Sequence, residues 1–168
     1  DTISGDRDPD KDWPEAHLRF DRDVAAWKPN LVIGLFGMND GYYQSPSEEH
    51  TAAFAEGMLR LVDRVARPTD AELVIVTPPP FDPYRRRVWD QKALRYGSAY
   101  PSLDYNEQVR QFSAWILAQS GEGQDVIDVN EEMSRHLSER RRERVSFYLS
   151  PDGVHPSPTG HWLIAQTI

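Results

Sequence analysis

Strand-length apolar runs alternating with helical patterns constrain this chain more than any other feature. Leu31-Val32-Ile33-Gly34-Leu35-Phe36 is continuously apolar. A run of that length without polar alternation reads as a strand buried on both faces, as in a parallel sheet covered by helices. Leu73-Val74-Ile75-Val76 and Asp125-Val126-Ile127-Asp128-Val129 are the second and third strands. Between them the apolar residues fall at helical spacing. Phe20, Val24 and Trp27 mark a helix within 13–27, with Pro14 suited to its first turn and Pro29 as a stop. Phe54, Met58, Leu61, Val62 and Val65 form the stripe of a second helix that opens at Ser47 and ends before Pro68. Tyr105, Val109, Phe112 and Ile116 carry a third over about 103–119. Asn130 is placed to cap a fourth that reaches about Arg142, and Trp162, Leu163, Ile164, Ala165 and Ile168 belong to a last one.

Strand and helix in strict alternation specify an α/β fold: a parallel sheet between two helical layers, read here as one domain over 1–168. Sites in such sheets form at the C-terminal strand ends. The turn Gly37-Met38-Asn39-Asp40-Gly41, the segment 77–81 and the loop before the last helix are therefore expected on one rim. In that loop, Asp152-Gly153-Val154-His155-Pro156 sets a carboxylate three residues before an imidazole. A nearby carboxylate fixes the tautomer and orientation an imidazole needs to take a proton from a hydroxyl.

Composition removes several classes of function. A net charge of −8 argues against a nucleic-acid partner, because phosphate neutralisation needs clustered cations. With no cysteine there is no disulfide framework and no thiolate ligand or nucleophile. Histidines and carboxylates show no metal-ligand spacing, and no apolar run reaches the length that spans a bilayer. His17, His50 and His136 are expected at the surface, His161 packed on the last helix, and Arg140-Arg141-Arg142 at a solvated helix end. Residues 81–101 show no periodicity and are rich in Arg, Tyr and Trp. Phe81, Tyr84, Arg85, Trp89, Tyr96 and Tyr100 are equally suited to flank a sugar-bearing or anionic substrate, to pack as an ordinary loop or to make an oligomer contact.

Gly37-Met38-Asn39-Asp40 after a buried strand, with Asp152-Gly153-Val154-His155-Pro156 before the last helix, resembles the third and fifth sequence blocks of the SGNH hydrolases, the GDSL-type esterases and lipases. Ser4-Gly5-Asp6 looks like the second block. The resemblance covers nearly the whole chain and implies a flavodoxin-like three-layer α/β/α fold. It implies cleavage of carboxylic esters through an acyl-serine intermediate, without metal or cofactor. His155 would be the general base, Asp152 its orienting carboxylate, and the Asn39 amide with the Gly5 N–H the oxyanion donors. Asp40 would hold the turn, and Met38 and Phe81 would contact substrate. A small-molecule or carbohydrate ester, with a lean towards sugar deacetylation, is the expected partner; a non-catalytic glycan-binding relative is the alternative.

The chain departs from the family pattern at the nucleophile. No Gly-Asp-Ser occurs, and Gly5-Asp6 is followed by Arg7. Both ends look cut, since Asp1 is not Met and Ile168 falls within a helical pattern. The first strands and the nucleophilic serine are therefore expected upstream of Asp1. A soluble protein is expected, secreted or periplasmic being compatible, with oligomeric state left open.

Overall fold

The computed structural model describes residues 2–5, 16–66, 71–86, 101–121 and 124–168. In chain order they form α1 (Ala16–Asp23), a 3-10 turn (Ala25–Trp27), β1 (Leu31–Leu35), α2 (Glu48–Ala66), β2 (Glu72–Val76), α3 (Tyr105–Ala118), β3 (Asp125–Ile127), α4 (Val129–Glu143) and α5 (Pro158–Thr167). The sheet has the order β1-β2-β3 and is parallel throughout. Its register sets Leu31 opposite Glu72, Leu35 opposite Val76, and Val76 opposite Ile127.

Side chains alternate across the sheet and meet different helices on its two faces. Ile75 packs under Phe54, Met58 and Leu61 of α2, Phe112 and Ile116 of α3, and Phe20 of α1. The Phe54 and Phe112 rings stack with centroids 4.4 Å apart. On the other face Val76 meets Val129 and Met133 of α4 and Leu163 of α5. A third cluster, Tyr43, Phe81, Tyr105, Val109 and Val154, lies where the loops after β1 and β2 meet the loop before α5. It forms the floor of the site.

Several expectations change. β1 is not buried on both faces, since Leu31 and Ile33 are 48% and 46% exposed. Among the described residues β1 pairs in the sheet only with β2. Trp27 is exposed, not part of a helical stripe, and the expected start at Trp13 and Pro14 lies outside the described residues. Asn130 does not cap α4. The cap is Asp128, whose carboxylate accepts from Glu131 N at 3.1 Å and from Thr77 Oγ1 at 2.9 Å. Asn130 sits inside the first turn and donates through Nδ2 to Pro78 O at 2.9 Å, tying α4 to the end of β2.

His17 is buried, with Nε2 3.1 Å from Gly57 O. The segment at Ile3 crosses α2 there, where a Cβ on Gly57 would stand 2.1 Å from Ile3 O. Arg141 is also not solvated. Its guanidinium pairs at 2.5 Å with buried Asp82, because α4 packs across the loop that follows β2. Among the described residues no helix is long and apolar enough to cross a membrane.

Candidate active site

The turn after β1 is built around an inward-facing carboxylate. Asp40 is 1% exposed. Its Oδ2 accepts from Gly37 N at 3.0 Å, and its Oδ1 accepts from Ile3 N, Ser4 N and Ser4 Oγ, each at 2.8 Å. One side chain thus holds the segment 3–5 against the turn 37–41. Burial raises the Asp40 pKa against the lowering effect of the Ser4, Ile3 and Gly37 hydrogen bonds. Gly37 has φ +122, and a Cβ there would stand 2.9 Å from Pro78. Only glycine meets both conditions.

Asn39 is oriented from beneath. The Tyr43 hydroxyl donates to Asn39 Oδ1, so the amide's acceptor end is engaged and its donors point the other way. Tyr42 and Tyr43 have φ 52 and 58, a left-handed pair that non-glycine residues adopt only when packing holds them. Tyr43 is buried against Tyr105, with ring centroids 5.1 Å apart, and Tyr105 donates to Met38 O at 2.7 Å. Burial pushes the Tyr105 phenol well above its ordinary pKa, so it remains a donor.

The loop before α5 is closed by its own carboxylate. Asp152 Oδ1 accepts from Val154 N at 3.0 Å and His155 N at 2.8 Å, while Oδ2 stands 2.7 Å from His155 Nδ1. A carboxylate accepts only, so Nδ1 carries the proton and Nε2 is left as the basic nitrogen. Burial raises the Asp152 pKa, but hydrogen bonds from the His155 ring, His155 N and Val154 N outweigh it and hold the carboxyl below its usual range. The His155 side chain is 69% exposed. Below the loop, Ser157 caps α5 by accepting from Gly160 N at 3.1 Å.

Gly153 joins this loop to the one after β2. Asp82 N donates to Gly153 O at 3.0 Å. With φ +90, and a Cβ that would stand 2.7 Å from Asp82 O, Gly153→Ala is expected to cost about 1–3 kcal/mol. Urea unfolding measures this, and a shift within error of zero would contradict it.

Asn39 and His155 face one cavity. Its walls are Leu35 at the end of β1, Phe36 and Met38 after it, Pro79 after β2, and Val154, Pro156 and Ile164. Residues far apart in sequence meet because parallel strands deliver their loops to the same edge. Gly5 stands beside the same turn, its carbonyl accepting from Tyr42 Oη at 3.2 Å, although it is not in the cavity wall. Among the described residues no group of three or more His, Cys, Asp or Glu side chains is arranged to hold a metal ion.

The sequence pattern of the GDSL-like lipase/acylhydrolase family matches residues 1–163. The chain belongs to this family. No curated protein matches it significantly, whereas solved structures do. A gut microbial diltiazem-metabolizing enzyme is similar at TM-score 0.66 and 20% identity over 89% of this chain and 34% of its own. An acetyl-xylooligosaccharide esterase from Geobacillus stearothermophilus is similar at TM-score 0.63 and 19% identity, over 90% of this chain and 63% of its own. A lipase/acylhydrolase from Enterococcus faecalis is similar at TM-score 0.59 and 20% identity, over 99% and 68%. This chain therefore spans less than two thirds of the length of the first two, and the likeness is one of fold.

In this GDSL-like chain Asn39, His155 and Met38 line the cavity, with Asp152 bonded to His155. Phe81 does not. It is 2% exposed and packs edge-on against Tyr105 at 5.5 Å, so it supports the site from the floor. His161, expected to pack on α5, instead lines the cavity. No motif in the sequence marks Tyr43, and Tyr105 is read there only as part of a helical stripe. The one signal for Tyr43 was a bulky residue in a glycine-bounded turn, where only burial explains its presence.

Proposed function

We propose that the full-length protein hydrolyses carboxylic esters by a serine mechanism. The observation that carries the reading is the pairing of His155 Nδ1 with Asp152 beside an Asn39 amide held by Tyr43, both facing one cavity. A serine hydroxyl supplied from outside residues 1–168 attacks the ester carbonyl, and His155 Nε2 takes its proton. The Asn39 amide, with the Gly5 N–H, donates to the oxygen that becomes negative. His155 then returns the proton to the leaving alcohol, and water attacking through the same base frees the acid. Ser4, bonded to Asp40, and Ser157, which caps α5, are poor candidates for the nucleophile.

The favoured substrate is an acetylated carbohydrate. Supporting it is the fold shared with an acetyl-xylooligosaccharide esterase. The second reading, glycan binding without cleavage, draws on the absence of Gly-Asp-Ser from the sequence. Fluorophosphonate labelling of the full-length protein separates the two. A hydrolase is labelled on one serine and loses turnover of a small acetyl ester; a protein that stays unlabelled is the binder.

Tyr43→Phe tests how the amide is held. Removing one hydrogen bond worth about 0.5–1.5 kcal/mol should lower kcat/KM for the acetyl ester from a few-fold to about tenfold with the fold intact. Unchanged kinetics would detach Tyr43 from the role.

A further inference from the structure

Three side chains in the wall of the cavity carry polar nitrogens: Asn39, His155 and His161. The other wall residues, among the described ones, are apolar or glycine. Two of the three are committed. The Asn39 amide is held by Tyr43 and the His155 ring by Asp152, and the proposed chemistry uses what remains of both. The His161 ring makes no hydrogen bond, ion pair or ring contact among the described residues, and the residue is exposed. A pocket that is mostly apolar takes its selectivity from the few polar groups in its wall.

The helix that carries this ring is fixed. His161 lies in the first turn of α5, where Ser157 caps the helix and His161 N donates to Ser157 O at 2.8 Å. The preceding Gly160 is buried so closely that a Cβ there would stand 2.6 Å from Leu149 O, and Leu163 packs with Val76 in the core. His161 and Ile164, three residues apart, share the face of α5 that meets the cavity.

Chain order assigns His161 to one side of the reacting ester. His155 has to hand its proton to the leaving alcohol, so the alcohol lies towards His155, and Pro156, His161 and Ile164 follow His155 along the loop and α5. Asn39, with Phe36 and Met38, belongs to the segment after β1 and faces the carbonyl oxygen. We infer that His161 is a specificity-determining residue that hydrogen-bonds a free hydroxyl neighbouring the ester on its alcohol portion, as in a partly acetylated sugar. An imidazole can donate through one nitrogen and accept through the other, and a hydroxyl answers either. A carboxylate calls for a cation, and among the described residues no Lys or Arg stands in the wall. An ester without the hydroxyl strips water from the ring and gives no hydrogen bond in return. The role rests on the esterase reading, since it concerns the alcohol portion of the ester.

The test compares kcat/KM for 2-hydroxyethyl acetate with that for propyl acetate, in which a methyl group replaces the hydroxyl, in the full-length wild type and in His161→Phe. The wild type is expected to favour the hydroxy ester beyond the ratio seen in alkaline hydrolysis. In His161→Phe that preference should fall about 3–10-fold, the loss of one neutral hydrogen bond, and His161→Gln, which keeps a donor and an acceptor, should retain part of it. A general disturbance of the site lowers both rates and cancels in the ratio. The same fall is expected with methyl 2-O-acetylxyloside; a fall confined to glycerol 1-acetate would overturn the assignment to a sugar. An equal ratio in wild type and His161→Phe, or a His161-dependent preference for 3-acetoxypropanoate, would overturn the hydroxyl role. Should the variants misfold, the wild type decides, because no preference over propyl acetate would overturn it too. Turnover with an unmoved ratio leaves the esterase reading standing; no turnover of any acetyl ester and no fluorophosphonate labelling would sink that reading and this role with it.

Discussion

His155→Ala in the full-length protein is expected to lower kcat for a small acetyl ester by roughly 10²–10⁴-fold, the usual contribution of a positioned general base. KM should change little, because the imidazole acts on a proton and not on the bound ester. The side chain is mostly in solvent, so the variant should melt like the wild type and the loss can be assigned to chemistry. Asp152→Asn should fall nearly as far. An amide opposite Nδ1 can present its NH2, which favours the tautomer with the proton on Nε2 and removes the base.

The same carboxylate sets a pH dependence. Its folded pKa lies below the ordinary value, so its contribution to stability is complete above the unfolded Asp pKa of about 3.9 and is lost as pH falls through the folded one. Urea midpoints measured down through that window should drop more steeply for the wild type than for Asp152→Asn. Undiminished ester hydrolysis by His155→Ala would remove the residue from its role.

Asp40→Ala should be the most damaging change to the fold around the site, costing at least about 3 kcal/mol in urea unfolding. Three backbone donors, at Ile3, Ser4 and Gly37, lose their acceptor at once, and a buried N–H without a partner costs about 1–3 kcal/mol. The charge itself is not what stabilises. Burial raises the folded pKa, so the ionisation linked to Asp40 favours the folded state at low pH and loses that contribution as pH rises through the folded value. The oxygens matter as acceptors. Asp40→Asn keeps Oδ1 for Ile3 and Ser4 but turns an NH2 towards Gly37 N, and should fall between wild type and alanine. A loss below about 1 kcal/mol for Asp40→Ala would show that the segment 3–5 is held by something else.

Period and punctuation carried much of this fold. Apolar runs near 31–36, 73–76 and 125–129 became β1, β2 and β3, and the stripes led by Phe54 and Tyr105 became α2 and α3, because burial on a sheet or helix face repeats at a fixed spacing. The Asp152–His155 pair was legible for the same reason: its geometry is local, made within four consecutive residues. Contacts between distant segments were not. Nothing near Asp40 in sequence announced that it would accept from Ile3 and Ser4. Asp128 won the cap from Asn130 because Thr77, just past the end of β2, holds its carboxylate.

What the sequence by itself determined is the alternation of elements, the family motifs and the local acid–imidazole pair. Only the tertiary structure decided that Asn39 and His155 face one cavity, that Tyr43 turns the amide, that Phe81 is floor and His161 is wall, and that Arg141 is paired with Asp82 while Arg142 is not. The division has a physical cause. Hydrogen bonds and periodic burial within a few residues are written in local order, whereas a cavity is formed by side chains whose only shared property is where parallel strands happen to end.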